Sequence, residues 1–317
     1  MLLHALACST TGGAFAQDYP VKPVRLIVPI APGGTNDILA RALAQALAAN
    51  FQQSVIVDNR PGGGGITGTE VAARAAADGY TLLMVNLSHA VTPAFRVKLP
   101  YDVLKDFSAV GLIGSTPNVL VVHPSLPANS LAALIALAKG TPGKLNYASA
   151  GNGSSPHLAA ELFKMKAGVD IVHIPYQGTG PALNALLGSE VSLSFATLPP
   201  ARSLVSARRL GALAITSPRR SPLLPSVPTF GEAGLPGYEF TAWFGLVAPA
   251  GTPPAIVRKL NGQIQEIVNG TDFKSRHAGQ GIDLTPTTPE QFVRYLQDET
   301  SKWRGVVAAA GIDEQRN

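Results

Sequence analysis

The sequence predicts an α/β fold in which a mainly parallel sheet is flanked by helices. Short runs rich in Val, Ile and Leu alternate with stretches whose apolar residues recur at helical spacing. Consecutive apolar residues fit strands that are buried on both faces, and strand–helix alternation is typical of doubly wound sheets. At 317 residues the chain is long enough for two domains.

Nine strands are expected, each a short apolar run bounded by polar or turn-forming residues. The predicted strands are residues 24–29, 55–57, 81–85, 119–122, 145–148, 171–174, 191–195, 210–215 and 244–247.

Helices are predicted between these strands. Thr35 or Asn36 is expected to cap the first, and Ser155 followed by Pro156 places a cap and a proline at the start of another. Residues 288–291 (TPEQ) form a capping-box pattern that opens a long C-terminal helix, expected to end at Gly311. Its inward-facing residues are predicted to be Phe292, Leu296, Trp303 and Val307.

Two chain crossings divide the predicted domains. Residues 117–118 precede one apolar strand, and residues 238–247 form a second extended stretch. If the chain crosses at both, lobe I comprises residues 19–118 and 243–317, and lobe II comprises residues 119–242.

The first sixteen residues are small or apolar, carry no acidic or basic side chain apart from His4, and end in Ala14-Phe15-Ala16. This small-x-small pattern predicts a secretory signal peptide cleaved after Ala16. The alternative is a lipoprotein signal acylated at Cys8, but the apolar stretch before that cysteine is short.

Composition excludes several classes of function. Charged residues make up only 14% of the chain, and the net charge of +5 is scattered, so we expect no nucleic-acid partner. The single cysteine precedes the predicted fold, and the six histidines lack metal-ligand spacing. We therefore expect no metal and no other cofactor.

Four loops at predicted strand ends carry the candidate chemistry, because open α/β sheets bind ligands beyond the carboxyl ends of their strands. Glycines, hydroxyls and amides before a helix expose backbone N–H groups that suit a carboxylate or phosphate. Each loop has a structural alternative: a tight turn, a capping turn or a flexible loop. The four loops are residues 30–37, 86–89, 149–157 and 173–181.

Three further observations limit which residues are expected to bind a ligand, and how. None of the four contains Lys or Arg, so no ion pair with an anion is expected from them. Within the fourth loop, His173 is interpreted as a core histidine. A further glycine run, residues 62–65, fits either an anion-binding nest or a mobile or closely approached loop, and we favour the latter.

The order and number of several motifs resemble those of the periplasmic solute-binding component of tripartite tricarboxylate transporters, also called the Bordetella uptake gene family. The motifs are residues 29–34 (PIAPGG) with Asp37, residues 59–65 (NRPGGGG), residues 99–102 (LPYD), residues 145–155 (LNYASAGNGSS), residues 173–178 (HIPYQG) and residues 226–229 (SVPT).

The resemblance implies a two-lobed type II periplasmic binding protein fold, in which each lobe is a mainly parallel sheet flanked by helices. It implies a monomeric, periplasmic, non-enzymatic protein that closes on a small organic acid and delivers it to membrane permease subunits. The implied ligand-binding residues of lobe I are Gly33, Gly34, Thr35, Asp37, Ser88 and His89. Those of lobe II are Ser149, Asn152, Ser154, Ser155, Tyr176, Gln177, Gly178 and Thr197.

The sequence departs from the family where many members carry Asp, at Ala185 and Ser192, and an Asp or Asn near Thr197. These losses favour a carboxylate over a cationic or amino-acid ligand. One alternative function is a binding protein that signals to a membrane regulator. The other is a serine hydrolase using Ser154 or Ser155 with His157 or His89, but the Gly-x-Ser-x-Gly elbow of such enzymes is absent.

Overall fold

The computed structural model describes residues 19–95 and 98–310, and it shows a curled, mainly parallel sheet flanked by helices. All nine predicted strands are present. The fourth strand begins at Phe107, earlier than predicted, because its first half is interrupted by Gly, Ser and Pro and lacks a continuous apolar run. The strands are β1 (Val24–Val28), β2 (Val55–Asn59), β3 (Thr81–Asn86), β4 (Phe107–Val122), β5 (Asn146–Ser149), β6 (Val172–Pro175), β7 (Leu193–Thr197), β8 (Gly211–Ile215), β9 (Thr241–Pro249) and β10 (Asp283–Leu284).

The helices follow the predicted alternation. They are α1 (Thr35–Phe51), α2 (Ile66–Ala73), α3 (Leu87–Val91), α4 (Leu131–Gly140), α5 (Ser155–Ala167), α6 (Thr179–Leu187), α7 (Leu198–Ser206), α8 (Pro254–Asn269), α9 (Thr271–Ala278) and α10 (Pro289–Ala310). The described part of the chain contains no helix that is both long and apolar enough to cross a membrane.

Two predicted caps were placed one residue or more too late. The N-cap of α1 is Gly34, and Thr35 is the first helical residue, where its hydroxyl donates to Thr197 Oγ1. The N-cap of α5 is Ser154 rather than Ser155.

The capping box of α10 is confirmed. The N–H of Thr288 donates to Gln291 Oε1 at 2.9 Å, and the N–H of Gln291 donates to Thr288 Oγ1 at 3.3 Å. The four residues predicted to face inward are all buried. The predicted end at Gly311 lies outside the described residues.

Strand β4 belongs to two sheets in succession. Its first part, through Pro117, pairs antiparallel with β9, which continues through β3 and β1 to β2; we call this sheet I. From Asn118 onward it pairs with β7 and β8, and β7 continues through β5 to β6; we call this sheet II. The hydrogen-bonding partners of one continuous strand therefore change between Pro117 and Asn118.

Both sheets contribute side chains to the buried apolar core. In sheet I, Leu26, Ile27 and Val28 of β1 are completely buried. Sheet II packs an aromatic cluster in which the rings of Phe230 and Tyr238 stack with centroids 4.0 Å apart. Burial of each large apolar side chain stabilises the fold by about 1.5–3 kcal/mol, so each sheet has its own source of stability.

Candidate functional site

A cavity lies where the loops after β1, β3, β5, β6 and β7 meet, between sheets I and II. It leaves about 30 Å³ for the centres of water-sized spheres, room for only one or two waters. The described residues that line it are all uncharged. They are Ile30, Thr35, Asn36, Gly64, Asn86, Leu87, Ser88, Ala150, Ser154, Ser155, Pro156, Thr179, Thr197, Ala242, Trp243 and Phe244.

Five helices begin at this cavity: α3, whose N-cap Asn86 lines it and has a side-chain capping bond, and four others. Thr35 opens α1 and Thr179 opens α6, while Ser154 and Thr197 are the N-cap residues of α5 and α7. None of these four N-termini has a side-chain capping hydrogen bond. The first turns of a helix leave N–H groups without intrahelical partners and carry partial positive charge, so four such ends at one cavity favour an anion there.

Two buried polar atoms at the cavity have no hydrogen-bond partner within the protein. They are Asn36 Nδ2 and Ser154 Oγ, on side chains that are 1% and 7% exposed. An unpaired buried donor costs about 1–3 kcal/mol, so such groups are expected to have a partner when the protein works. Asn36 follows β1 of sheet I and Ser154 follows β5 of sheet II, so the two donors approach the cavity from different sheets.

The two sheets touch directly around the cavity. Thr35 Oγ1 donates to Thr197 Oγ1 at 2.8 Å, and the backbone N–H of Ala31 donates to the carbonyl of Gln177 at 2.8 Å. Both bonds join a segment that follows β1 of sheet I to a segment at the end of a strand of sheet II. The cavity is therefore enclosed by contacts between the sheets.

Asp37 braces the loop after β1. Its carboxylate accepts the N–H of Gly33 at 3.1 Å and Asn59 Nδ2 at 3.1 Å, and it pairs with Arg41 at 3.0 Å. Gly33 has φ +91°, a conformation that favours glycine. All the contacts of Asp37 hold this turn, and the structure does not place the carboxylate at the cavity.

His89 is also engaged away from the cavity. Its Nδ1 accepts the N–H of Asn86 at 3.1 Å, and its Nε2 lies 3.0 Å from Thr69 Oγ1, whose hydroxyl donates to the carbonyl of Gly65. Burial lowers the pKa of His89 to about 4, so the ring is neutral at pH 7. His89 holds the loop of Asn86 and Ser88, both of which line the cavity.

Ser149 belongs to a buried polar stack beneath sheet II. Its hydroxyl lies 2.6 Å from His173 Nε2 and accepts the N–H of Gly151 at 3.0 Å. The ring of His173 stacks on that of His157 with centroids 4.2 Å apart. Burial lowers the pKa of His157 to about 4 and that of His173 to about 3. This network shapes the loop that begins at Ser149, and His173 lies in the core as interpreted from the sequence.

The other candidates divide between the cavity and its rim. Thr35, Ser88, Ser154, Ser155 and Thr197 line the cavity. The remaining candidates lie beside it: Gly33, Gly34 and Gly178 at contacts between the sheets, Asn152 against Gly64, Tyr176 packed on the core of sheet II, and Gln177 with an exposed side chain and a bonded carbonyl.

Sequence reasoning missed Asn36, Gly64 and Trp243 as lining residues. Asn36 lies in the candidate loop of residues 30–37, directly after Thr35. Its position in the first turn of a helix at a strand end indicates a side chain that could reach a ligand. Gly64 lies in the glycine run, where close approach was favoured over anion binding. Trp243 enters the wall from β9, which no loop pattern indicates.

The serines do not form a hydrolytic site. Ser154 Oγ has no partner, and Ser155 Oγ donates to Asn118 Oδ1 at 2.8 Å. His157 Nδ1 is already the acceptor of the Gly153 N–H at 3.1 Å. Neither hydroxyl is therefore paired with the base that nucleophilic catalysis requires.

Comparisons with known proteins agree with this geometry. Residues 39–312 match the family described as tripartite tricarboxylate transporter family receptor. Protein BugT of Bordetella pertussis is 41% identical over 298 residues, which cover 93% of this chain and 91% of the relative.

Solved structures of binding proteins are also similar. The R. palustris protein Rpa4515 with adipate has a TM-score of 0.90 at 36% identity, covering 93% of this chain and 99% of that one. MatC from Rhodopseudomonas palustris with bound malate has a TM-score of 0.87 at 33% identity, covering 91% and 100%. The fold, the cavity and the extent of these matches agree, and the chain therefore belongs to the tripartite tricarboxylate transporter family receptors, which are solute-binding proteins.

Proposed function

We propose that this protein captures a small organic acid between two lobes and delivers it to a membrane permease. The observation that carries the proposal is the convergence of four helix N-termini without side-chain caps on one uncharged cavity, which the unpaired donors Asn36 Nδ2 and Ser154 Oγ approach from different sheets.

The chemistry of the cavity selects a carboxylate over other solutes. Its unpaired groups include an amide donor and a hydroxyl, and the helix ends add partial positive charge without any Lys or Arg in the lining. None of the described lining residues is acidic either, so a cationic group would find no counter-charge among them. Several charge-assisted hydrogen bonds in a desolvated cleft reach a micromolar Kd, about −8 kcal/mol.

The relatives support this class of ligand. Rpa4515 is described with adipate and MatC with malate, both of which are dicarboxylates. The apolar side of the cavity, formed by Leu87, Trp243 and Phe244, suits the carbon chain of such an acid.

The two lobes correspond to residues 19–118 with 243–317 and residues 119–242. The change of sheet within β4, and the start of β9 at Thr241, supply two crossings around which the lobes turn. Because the cavity holds only one or two waters, a ligand enters when the lobes separate and is enclosed when they meet.

The first experiment is a ligand screen by thermal shift and calorimetry. Adipate, malate, succinate and citrate are compared with adipamide, which has the length of adipate but no charge. An acid at 100 times its Kd is expected to add about 2.7 kcal/mol of stability. Acids released by denaturing protein purified from the native host are added to the screen. Carboxylate capture would be refuted if adipamide stabilised the protein as much as adipate, or if none of these acids stabilised it.

Closure has its own test. The hydroxyl oxygens of Thr35 and Thr197 are 2.8 Å apart, so cysteines at both positions bring their sulfurs near disulfide distance only when the lobes meet. In a Cys8→Ser background, the Thr35→Cys/Thr197→Cys variant is expected to crosslink within one chain. Failure to crosslink under oxidising conditions would contradict closure.

Delivery places the protein in the periplasm, with residues 1–16 as the cleaved signal; those residues lie outside the described part of the structure. The family's receptors serve a membrane transporter. Deleting the gene is expected to abolish uptake of the identified acid by the native host. Intact uptake with lost induction of transport genes would point to sensing instead and would contradict delivery.

A further inference from the structure

The two lobes meet through backbone atoms at two places beside the cavity. Residues 178–180, at the start of α6, lie against residues 31–33, and Gly64 lies against Gly151 and Asn152. A Cβ atom built on Gly180 would lie 2.5 Å from the carbonyl oxygen of Pro32, and one on Gly64 would lie 2.8 Å from the carbonyl oxygen of Asn152. Glycine at these positions is what permits the closest approach.

The two glycines differ in what favours glycine besides the contact. Gly64 has φ +66°, which favours glycine whatever lies opposite. Gly180 has no positive φ and lies in the first turn of α6, where alanine is the better helix former. Within lobe II, the neighbour that crowds a Cβ at position 180 is the ring of Pro181, because a proline disfavours helical backbone at the residue before it. The effect of the contact between the lobes is therefore measured in a Pro181→Ala background.

The obstructing atom belongs to the backbone of the other lobe. The carbonyl of Pro32 cannot rotate aside like the end of a long side chain. Ordinary contact begins at 3.4 Å, so a Cβ at position 180 would move the lobes apart locally by about 0.9 Å. The neighbouring bond from the Ala31 N–H to the Gln177 carbonyl, now 2.8 Å, would then exceed the usual range for hydrogen bonds.

We propose that Gly180 is a positioning residue for closure: its missing side chain lets α6 reach the loop of residues 31–33 and so lets Thr35 meet Thr197. This rests on the proposed function, in which the lobes close on a ligand. The Gly180→Ala substitution then affects the closed form and leaves the fold of each lobe intact.

The test is the disulfide between cysteines at positions 35 and 197, which needs no ligand. Adding Gly180→Ala to a Cys8→Ser/Thr35→Cys/Thr197→Cys/Pro181→Ala parent is expected to slow crosslinking roughly tenfold or more, because overpacking at a rigid contact is costly. Gly180→Ser adds the same Cβ atom and is expected to act alike.

The matched control is Gly262→Ala in α8. Gly262 is likewise a helical glycine without positive φ, but a Cβ there meets nothing within 4 Å. Reduced Gly180→Ala and Gly262→Ala proteins are both expected to melt at or above the parent temperature, and only the former to crosslink slowly.

The outcomes separate the two proposals. Equal crosslinking rates for the Gly180→Ala and Gly262→Ala proteins would overturn the role of Gly180 while leaving closure intact. A lower melting temperature confined to Gly180→Ala would show that lobe II itself needs the glycine, which also overturns the proposal. A parent protein that never crosslinks would overturn closure and this inference together.

Discussion

The Asn36→Ala substitution tests whether the Asn36 amide binds the ligand or stabilises the fold. The side chain is 1% exposed and its Nδ2 has no partner in the protein, so the substitution removes no internal hydrogen bond from that atom. If Nδ2 donates to a ligand carboxylate, the lost bond is charge-assisted and worth about 1.5–3 kcal/mol. Affinity is then expected to fall about 10- to 150-fold.

The stability of the unliganded protein is expected to respond differently. Removing an unsatisfied buried donor offsets the small cavity that alanine leaves, so the free energy of unfolding should change by less than about 1 kcal/mol. Calorimetry with the tightest-binding acid of the screen measures the affinity, and urea unfolding without that acid measures the stability.

Asn261→Ala is the matched control. This buried amide donates from Nδ2 to the carbonyls of Val110 and Thr287, each at 2.8 Å, and none of the three residues lines the cavity. Its replacement is expected to lower stability by about 1–3 kcal/mol and to leave affinity unchanged. If Asn36→Ala behaved like Asn261→Ala, losing stability but no affinity, the assignment of Asn36 to the ligand would be refuted.

Three further predictions concern signal, pH and packing. In a Trp303→Phe protein, the fluorescence of Trp243, which lines the cavity, should change on acid binding; a flat signal in a protein that binds by calorimetry would contradict its position. Burial keeps His89, His157 and His173 neutral in the folded protein, so the unfolded chain binds protons first as the pH falls. The free energy of unfolding should therefore be highest above about pH 6.5 and fall towards pH 4 by up to about 1.4 kcal/mol per pH unit for each of these histidines. Urea unfolding at a series of pH values measures this slope, and its absence would contradict the prediction. Gly245→Ala should lower stability by about 1–3 kcal/mol by pressing on the Phe292 ring, and unchanged urea unfolding would count against that packing.

The secondary structure followed from local patterns. Buried strands such as β1 and β3 are continuous apolar runs, and that signal needs no knowledge of their neighbours. The first half of β4 was missed because its glycines, serines and proline interrupt the apolar run, while its strand conformation is fixed by pairing with β9. Element type was therefore readable wherever local hydrophobicity alone decided it.

The candidate site was predicted at the level of loops and only partly at the level of side chains. Glycine, hydroxyl and amide residues after strands indicated the correct loops, because the carboxyl ends of parallel strands share an edge. Within those loops, Asp37, His89 and Ser149 proved to be held by internal hydrogen bonds, while Asn36 and Trp243 faced the cavity. A residue type indicates which groups a side chain can bind, but only the tertiary structure shows whether its partner is another part of the protein or a ligand in the cavity.

The sequence by itself determined the strand–helix alternation, the turns that leave helix N–H groups exposed, and the absence of Lys and Arg from the loops that carry them. These are properties of a few neighbouring residues, set by backbone sterics and hydrophobic periodicity. Only the tertiary structure decided that Thr35 meets Thr197, 162 residues away, and that Gly180 meets Pro32. Contacts between lobes depend on strand order and on the crossings at β4 and β9, which bring together residues that share no local pattern.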